Sequence, residues 1–190
     1  MIPTRDQAYE LMKEWTQSDS LRKHMLSVET AVVAYANKYG EDENKWAVTA
    51  LLHDFDYEKH PELSANGHPF VGVQYLREQG YDEEILEAIL GHADFSGVPR
   101  ITPLAKTLYA CDEITGLITA AVYVRPDKNI ANQTVDSLKK KFKDKAFAKG
   151  VNRDDVKRGA EELGVELWEH VDFVLKAMQA RAEVLGLQGV

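Results

Sequence analysis

In almost every segment between residues 5 and 185 the apolar residues recur at a spacing of 3.6, and nowhere do they alternate over a useful length. That periodicity restricts the chain to packed helices, because a half-buried strand needs a period of two. Ala8, Leu11, Met12 and Trp15 stripe 5–16; Leu21, Met25, Val28, Val32, Tyr35 and Tyr39 stripe 20–39, which stops at Gly40. Trp46, Ala47, Ala50, Leu51 and Leu52 mark a helix over 43–54. Pro69 opens 69–79, and the acidic Asp82, Glu83 and Glu84 open 82–92. Thr102 and Pro103 start a long helix over 103–123, followed by a loop around Pro126. Two shorter helices over 134–144 and 153–163 precede a last one over 166–185. The expected fold class is all-α.

No Pro- or Gly-rich linker, repeat or low-complexity tract interrupts this pattern, so a single domain over residues 1–190 is expected. No run of 18 apolar residues predicts a membrane span. The polar start MIPTRDQAYELMKEW lacks an apolar signal core, and Cys111 is the only cysteine. Both point to a cytoplasmic protein. A net charge of −8 argues against binding duplex nucleic acid. One basic run, Lys139, Lys140, Lys141, Lys143, Lys145 and Lys149, stands against that charge, as a solvated helix face or a phosphate-facing rim.

Five of the six histidines fall in the first half, and four of these join two aspartates in an ordered set: His24, His53-Asp54, His68, His92, Asp112. Successive members lie 15 to 29 residues apart, which puts each on its own helix or helix end. Bundles build metal sites by such convergence. Imidazole nitrogen and carboxylate oxygen suit Mn, Fe, Co, Ni or Zn, and the absence of thiolate excludes a Cys-rich structural zinc site. Plainer roles remain open: His53 with Asp54 as a helix-ending pair, His68 as a turn residue, His92 as a helix cap. His60 is expected to be exposed and His170 to sit on the polar side of the last helix.

The pattern H…HD…H…H…D, carried by TALLHDFDYEKH and LYACDEITGL, resembles the HD superfamily of metal-dependent phosphohydrolases over roughly residues 20–125. The resemblance implies a helical bundle of roughly eight to nine helices, with a metal-binding core over about 20–125 and a helical extension over about 132–186. It implies one or two divalent ions (Mn, Fe, Co, Ni, Zn or Mg). His24, His53, Asp54 and Asp112 would hold the first, and His68 and His92 the second, bridged by Asp54. Catalysis would fall to Asp54, His53 and Asp112, acting on a small phosphorylated substrate such as a nucleotide through a metal-activated water.

Asp56 and Glu58, just beyond the His-Asp pair, are open to three readings: acceptors behind the ligands, a general base, or loop charge. Arg22, Lys106, Arg125 and Lys128 are the candidate substrate contacts. Two better-defined branches fit less well. The cyclic-di-nucleotide phosphodiesterases carry Lys or Arg three residues after the aspartate, where Tyr57 stands here, and a second histidine where Ala93 follows His92. The deoxyribonucleoside 5′-monophosphatases carry a glutamate near the pair, as Glu58 does, but lack the extra histidines. Two further functions share this ligand set: an HD-fold di-iron oxygenase and a non-catalytic ligand sensor.

Overall fold

Local side chains start and stop most of the helices. In the computed structural model, which describes residues 1–189, Thr4 and Gln7 form a reciprocal capping box on α1 (Arg5–Trp15). Ser18 caps α2 (Asp19–Tyr39), which ends at Gly40 with φ 73°, a left-handed turn that favours glycine. Asp42 caps α3 (Glu43–Leu52), and Asp82 caps α5 (Glu83–His92). Between them, α4 (Phe70–Glu78) has no side-chain cap from its own N-cap residue, Pro69. The long α6 spans Pro103–Tyr123. Then follow α7 (Val135–Lys143), α8 (Arg153–Leu163), α9 (Leu167–Ala180) and α10 (Ala182–Leu185). The protein is all-α: among the described residues there are ten α-helices, nine of them of seven or more residues, and no strand.

Each boundary lies within two residues of the sequence expectation except at the end. The single helix expected over 166–185 breaks at Arg181, whose φ of −116° and ψ of 19° separate α9 from α10. Nothing in the apolar stripe marks that break, because Leu185 continues the same buried face.

The chain forms two compact units, Met1–Tyr109 and Ala110–Val190, and the division falls inside α6 rather than in a linker. In the first unit α3 packs against α1, α2 and α5, and α4 packs against α5. Seven of the ten residues of α3 are buried, from Trp46 to Leu52, so its C-terminal end is fixed from several sides. Lys45, at the start of α3, bonds Asp82 at 2.8 Å and Glu84 at 2.5 Å, pinning α3 to the start of α5. In the second unit α9 packs on α7, α8 and α10. Gly159 of α8 lies so close to α6 that a Cβ there would stand 2.7 Å from the Cα of Ala110. No helix among the described residues is long and apolar enough to cross a membrane.

Candidate metal centre

The first unit brings four histidines to one carboxylate. His24 lies on α2, His53 is the C-cap of α3, Asp54 follows it, His68 ends the loop before α4, and His92 is the last residue of α5. Asp54 Oδ2 lies 3.6 Å from His24 Nε2 and 3.5 Å from His53 Nε2. Its Oδ1 lies 3.3 Å from His68 Nε2 and 3.4 Å from His92 Nε2. Each carboxylate oxygen thus faces its own pair of imidazoles. The side chains of His53, His68 and His92 are almost wholly buried, while Asp54 keeps 17% and His24 25% of their exposure, so the centre opens on their side.

The outer ring nitrogens explain why the Nε2 atoms point inward. His53 Nδ1 donates to the Ala50 carbonyl at 2.7 Å, His68 Nδ1 to Asp56 Oδ1 at 2.7 Å, and His92 Nδ1 to the Ile89 carbonyl. A carbonyl or carboxylate oxygen can only accept, so the ring proton of a neutral imidazole sits on Nδ1 and Nε2 keeps a bare lone pair. His68 Nε2 and His92 Nε2 then face each other at 3.2 Å with Asp54 Oδ1 beside both. With both imidazoles neutral, three acceptors this close repel. A cation removes the repulsion, and His, His and carboxylate suit a divalent transition metal. The donor set therefore fits a metal ion, and Asp54, His68 and His92 form a group able to hold one.

Asp56 is the functional residue that sequence reading left among three alternatives. It is 1% exposed, and its carboxylate does two things. Oδ1 orients His68; Oδ2 accepts the Gly72 N–H at 2.7 Å, one of the free amides at the start of α4. Asp56 is thus the missing cap of α4 and the clamp of a candidate ligand at once. Gly72 is required by that approach: a Cβ there would stand 2.7 Å from Asp56 Cγ and 2.7 Å from Phe55 Cε1. A glycine inside a helix costs about 1 kcal/mol against alanine, so Gly72 in FVGVQYLRE was the available signal.

Glu58, Arg22 and Arg125 have partners of their own. Glu58 is exposed, and its Oε2 accepts from Gln17 N and Ser18 N at the start of α2, so it serves as loop and cap charge. Arg22 donates to the Thr16 and Lys13 carbonyls at the end of α1. Lys106 is half-buried on α6. In the second unit, Arg125 pairs with Asp127 through two bonds of 2.8 and 2.9 Å, which hold the Asp127 carboxyl far below the usual range, and Lys128 is exposed. Asp112 is half-buried on α6, also in the second unit. Burial pushes the thiol of the neighbouring Cys111 far up, so it stays protonated.

Two histidine expectations are corrected. His60 is half-buried, its ring centroid 6.3 Å from that of Trp15, and its carbonyl accepts the His68 amide at 2.8 Å, closing the loop that presents His68. His170 is 1% exposed, and its Nε2 donates to the Ala110 carbonyl at 2.8 Å rather than facing solvent.

A family model described as the HD domain matches residues 21–117. The chain belongs to the HD domain family, whose members bind divalent metals and are in general hydrolases, though the domain also occurs in non-hydrolytic roles. No curated protein and no solved structure matches the chain.

Proposed function

We propose that the protein is a metal-dependent phosphohydrolase acting on a small phosphate ester of the nucleotide class. The observation that carries this reading is the carboxylate of Asp54, with one oxygen on the His24–His53 pair and the other on the His68–His92 pair. One carboxylate between two sets of nitrogen donors would suit two neighbouring divalent ions. In the HD pattern the final aspartate, to which Asp112 corresponds, is a further metal ligand. When bound, the ions supply Lewis acidity toward a phosphoryl oxygen and an acidified water.

The chain's own residues do the rest. Asp56, Ala50 and Ile89 hold the imidazole protons of His68, His53 and His92 on the outer nitrogens, so those three Nε2 atoms keep a lone pair for coordination. Two divalent charges against Asp54 and Asp112 leave a surplus of about +2, which attracts an anionic phosphate. Substrate enters on the open side of Asp54 and His24. Exposed Tyr57, with its ring 5.3 Å from that of His68, stands at the rim where another branch carries a cation. Its neutral phenol offers a hydrogen bond and a ring face rather than a charge.

The test is a screen of manganese- or cobalt-reconstituted protein against nucleotides and simple phosphate esters, with phosphate release and O₂ uptake followed together. Anaerobic phosphate release that disappears in Asp54→Ala is the expected result. Substrate-dependent O₂ uptake by the iron-loaded protein without phosphate release would replace this reading with an oxygenase. Binding without turnover of any kind would replace it with a sensor.

A further inference from the structure

The second unit carries a feature that the metal centre does not use. Residues 139–158 hold nine of the chain's 23 lysines and arginines but only three of its 31 acids, in a protein of net charge −8. Part of this charge lines a cleft of about 610 Å³ bounded by Lys143, Lys145, Lys149, Arg153, Lys157 and Trp168. That volume is the size of a small-molecule site.

The cleft's charge is not neutralised from within. Lys157 pairs with Asp154 at 3.1 Å, but among the described residues Lys143, Lys145 and Lys149 have no acidic partner, and all three are exposed. Arg153 gives its guanidinium to four main-chain carbonyls, those of Asp144, Phe147, Ala148 and Val151. Carbonyls orient a guanidinium without cancelling its charge. They also fix the loop over 144–151, which presents Lys145 and Lys149, so two of the free cations sit on an ordered frame. The hydrophobic wall is ordered too. Trp168 packs edge-on against Phe142, with ring centroids 5.5 Å apart at 83°, and Leu167 continues the same surface.

We infer that this cleft is a second ligand site, separate from the metal centre, for a phosphorylated small molecule with a planar ring, of the nucleotide class. Lysines are point cations suited to phosphate oxygens, and an indole wall suits a base. A bare inorganic anion would use the lysines and leave the wall wet. A long nucleic acid would meet a chain of like, negative average charge beyond the cleft. The inference stands apart from the phosphohydrolase reading, because no residue of the cleft belongs to the metal centre.

The probe is the non-hydrolysable β,γ-methylene analogue of ATP, titrated into the full chain by calorimetry and by tryptophan fluorescence. Binding is expected to persist in Asp54→Ala and to weaken by about a hundredfold in the triple variant K143E/K145E/K149E, with circular dichroism unchanged. The milder K143Q/K145Q/K149Q set should fall between. The fluorescence change should vanish in Trp168→Phe, which leaves Trp15 and Trp46 in place. Tripolyphosphate should bind more weakly than the nucleotide analogue. The site is overturned if the analogue does not bind at millimolar concentration, if the triple variant binds as the parent does, or if Asp54→Ala abolishes binding. Equal affinity for tripolyphosphate overturns the nucleotide assignment.

Discussion

Replacing Asp56 by Ala removes the acceptor of two buried donors at once, the His68 Nδ1–H and the Gly72 N–H, each held at 2.7 Å. The residue is 1% exposed, so water does not freely take its place. Each orphaned donor costs about 1–3 kcal/mol, and the two together cost about 2–6 kcal/mol of stability. That is a large part of the 5–15 kcal/mol typical of a domain. Asp56→Asn separates structure from metal chemistry. Its single amide oxygen will take the Gly72 amide, and its NH₂ then faces His68 Nδ1. The ring must accept there, its proton moves to Nε2, and Nε2 loses the lone pair needed for a metal. Asp56→Asn should therefore stay folded, losing about 1 kcal/mol, while affinity for one metal falls by about 10–100-fold. Urea unfolding of metal-free protein measures the first quantity, and competitive metal titration with elemental analysis measures the second. An Asp56→Asn protein that binds metal as the parent does would refute the assigned tautomer. An Asp56→Ala protein within about 0.5 kcal/mol of the parent would refute the burial cost.

Gly72→Ala should destabilise by about 1–3 kcal/mol, because its Cβ meets Asp56 and Phe55 at 2.7 Å; a neutral result in thermal unfolding would mean that α4 can back away freely. Elemental analysis should find that Asp54→Ala loses more metal than His53→Ala, since Asp54 alone faces both imidazole pairs, while His68→Ala with His92→Ala keeps about one ion; equal losses in all three proteins would count against a bridging role. Lys45→Met should cost about 1 kcal/mol at neutral pH by releasing Asp82 and Glu84. Its bonds from Lys45 hold the Asp82 carboxyl below its ordinary value of 3.8, so this stability is present above that value and is lost as acid protonates the folded carboxyl. The difference between parent and variant in urea midpoint should therefore close in strong acid, and a gap that stays constant down to pH 2 would exclude the ion pair as its source.

The sequence determined the elements and the residue types of the site, because both are local properties. The 3.6-residue stripes, the capping residues Thr4, Ser18 and Asp42, and the stop at Gly40 act within a few residues of one another, so the helices were legible to within two residues of their ends. The ordered histidines and aspartates were equally legible as donors. What they do to one another was not. That Asp54 divides its two oxygens between two pairs of imidazoles depends on how α2, α3 and α5 and the loop before α4 pack, and no spacing encodes it. Asp56 looked as much like loop charge as like a clamp, since only tertiary packing brings Gly72, 16 residues away, close enough to bury it. His170 reads as polar on its own helix and is buried because the Ala110 carbonyl, 60 residues earlier, comes to accept from it. The break at Arg181 likewise leaves no mark on the apolar stripe that runs through it. A side chain's partner is fixed by non-local packing, and packing is what tertiary structure adds to a pattern of residues.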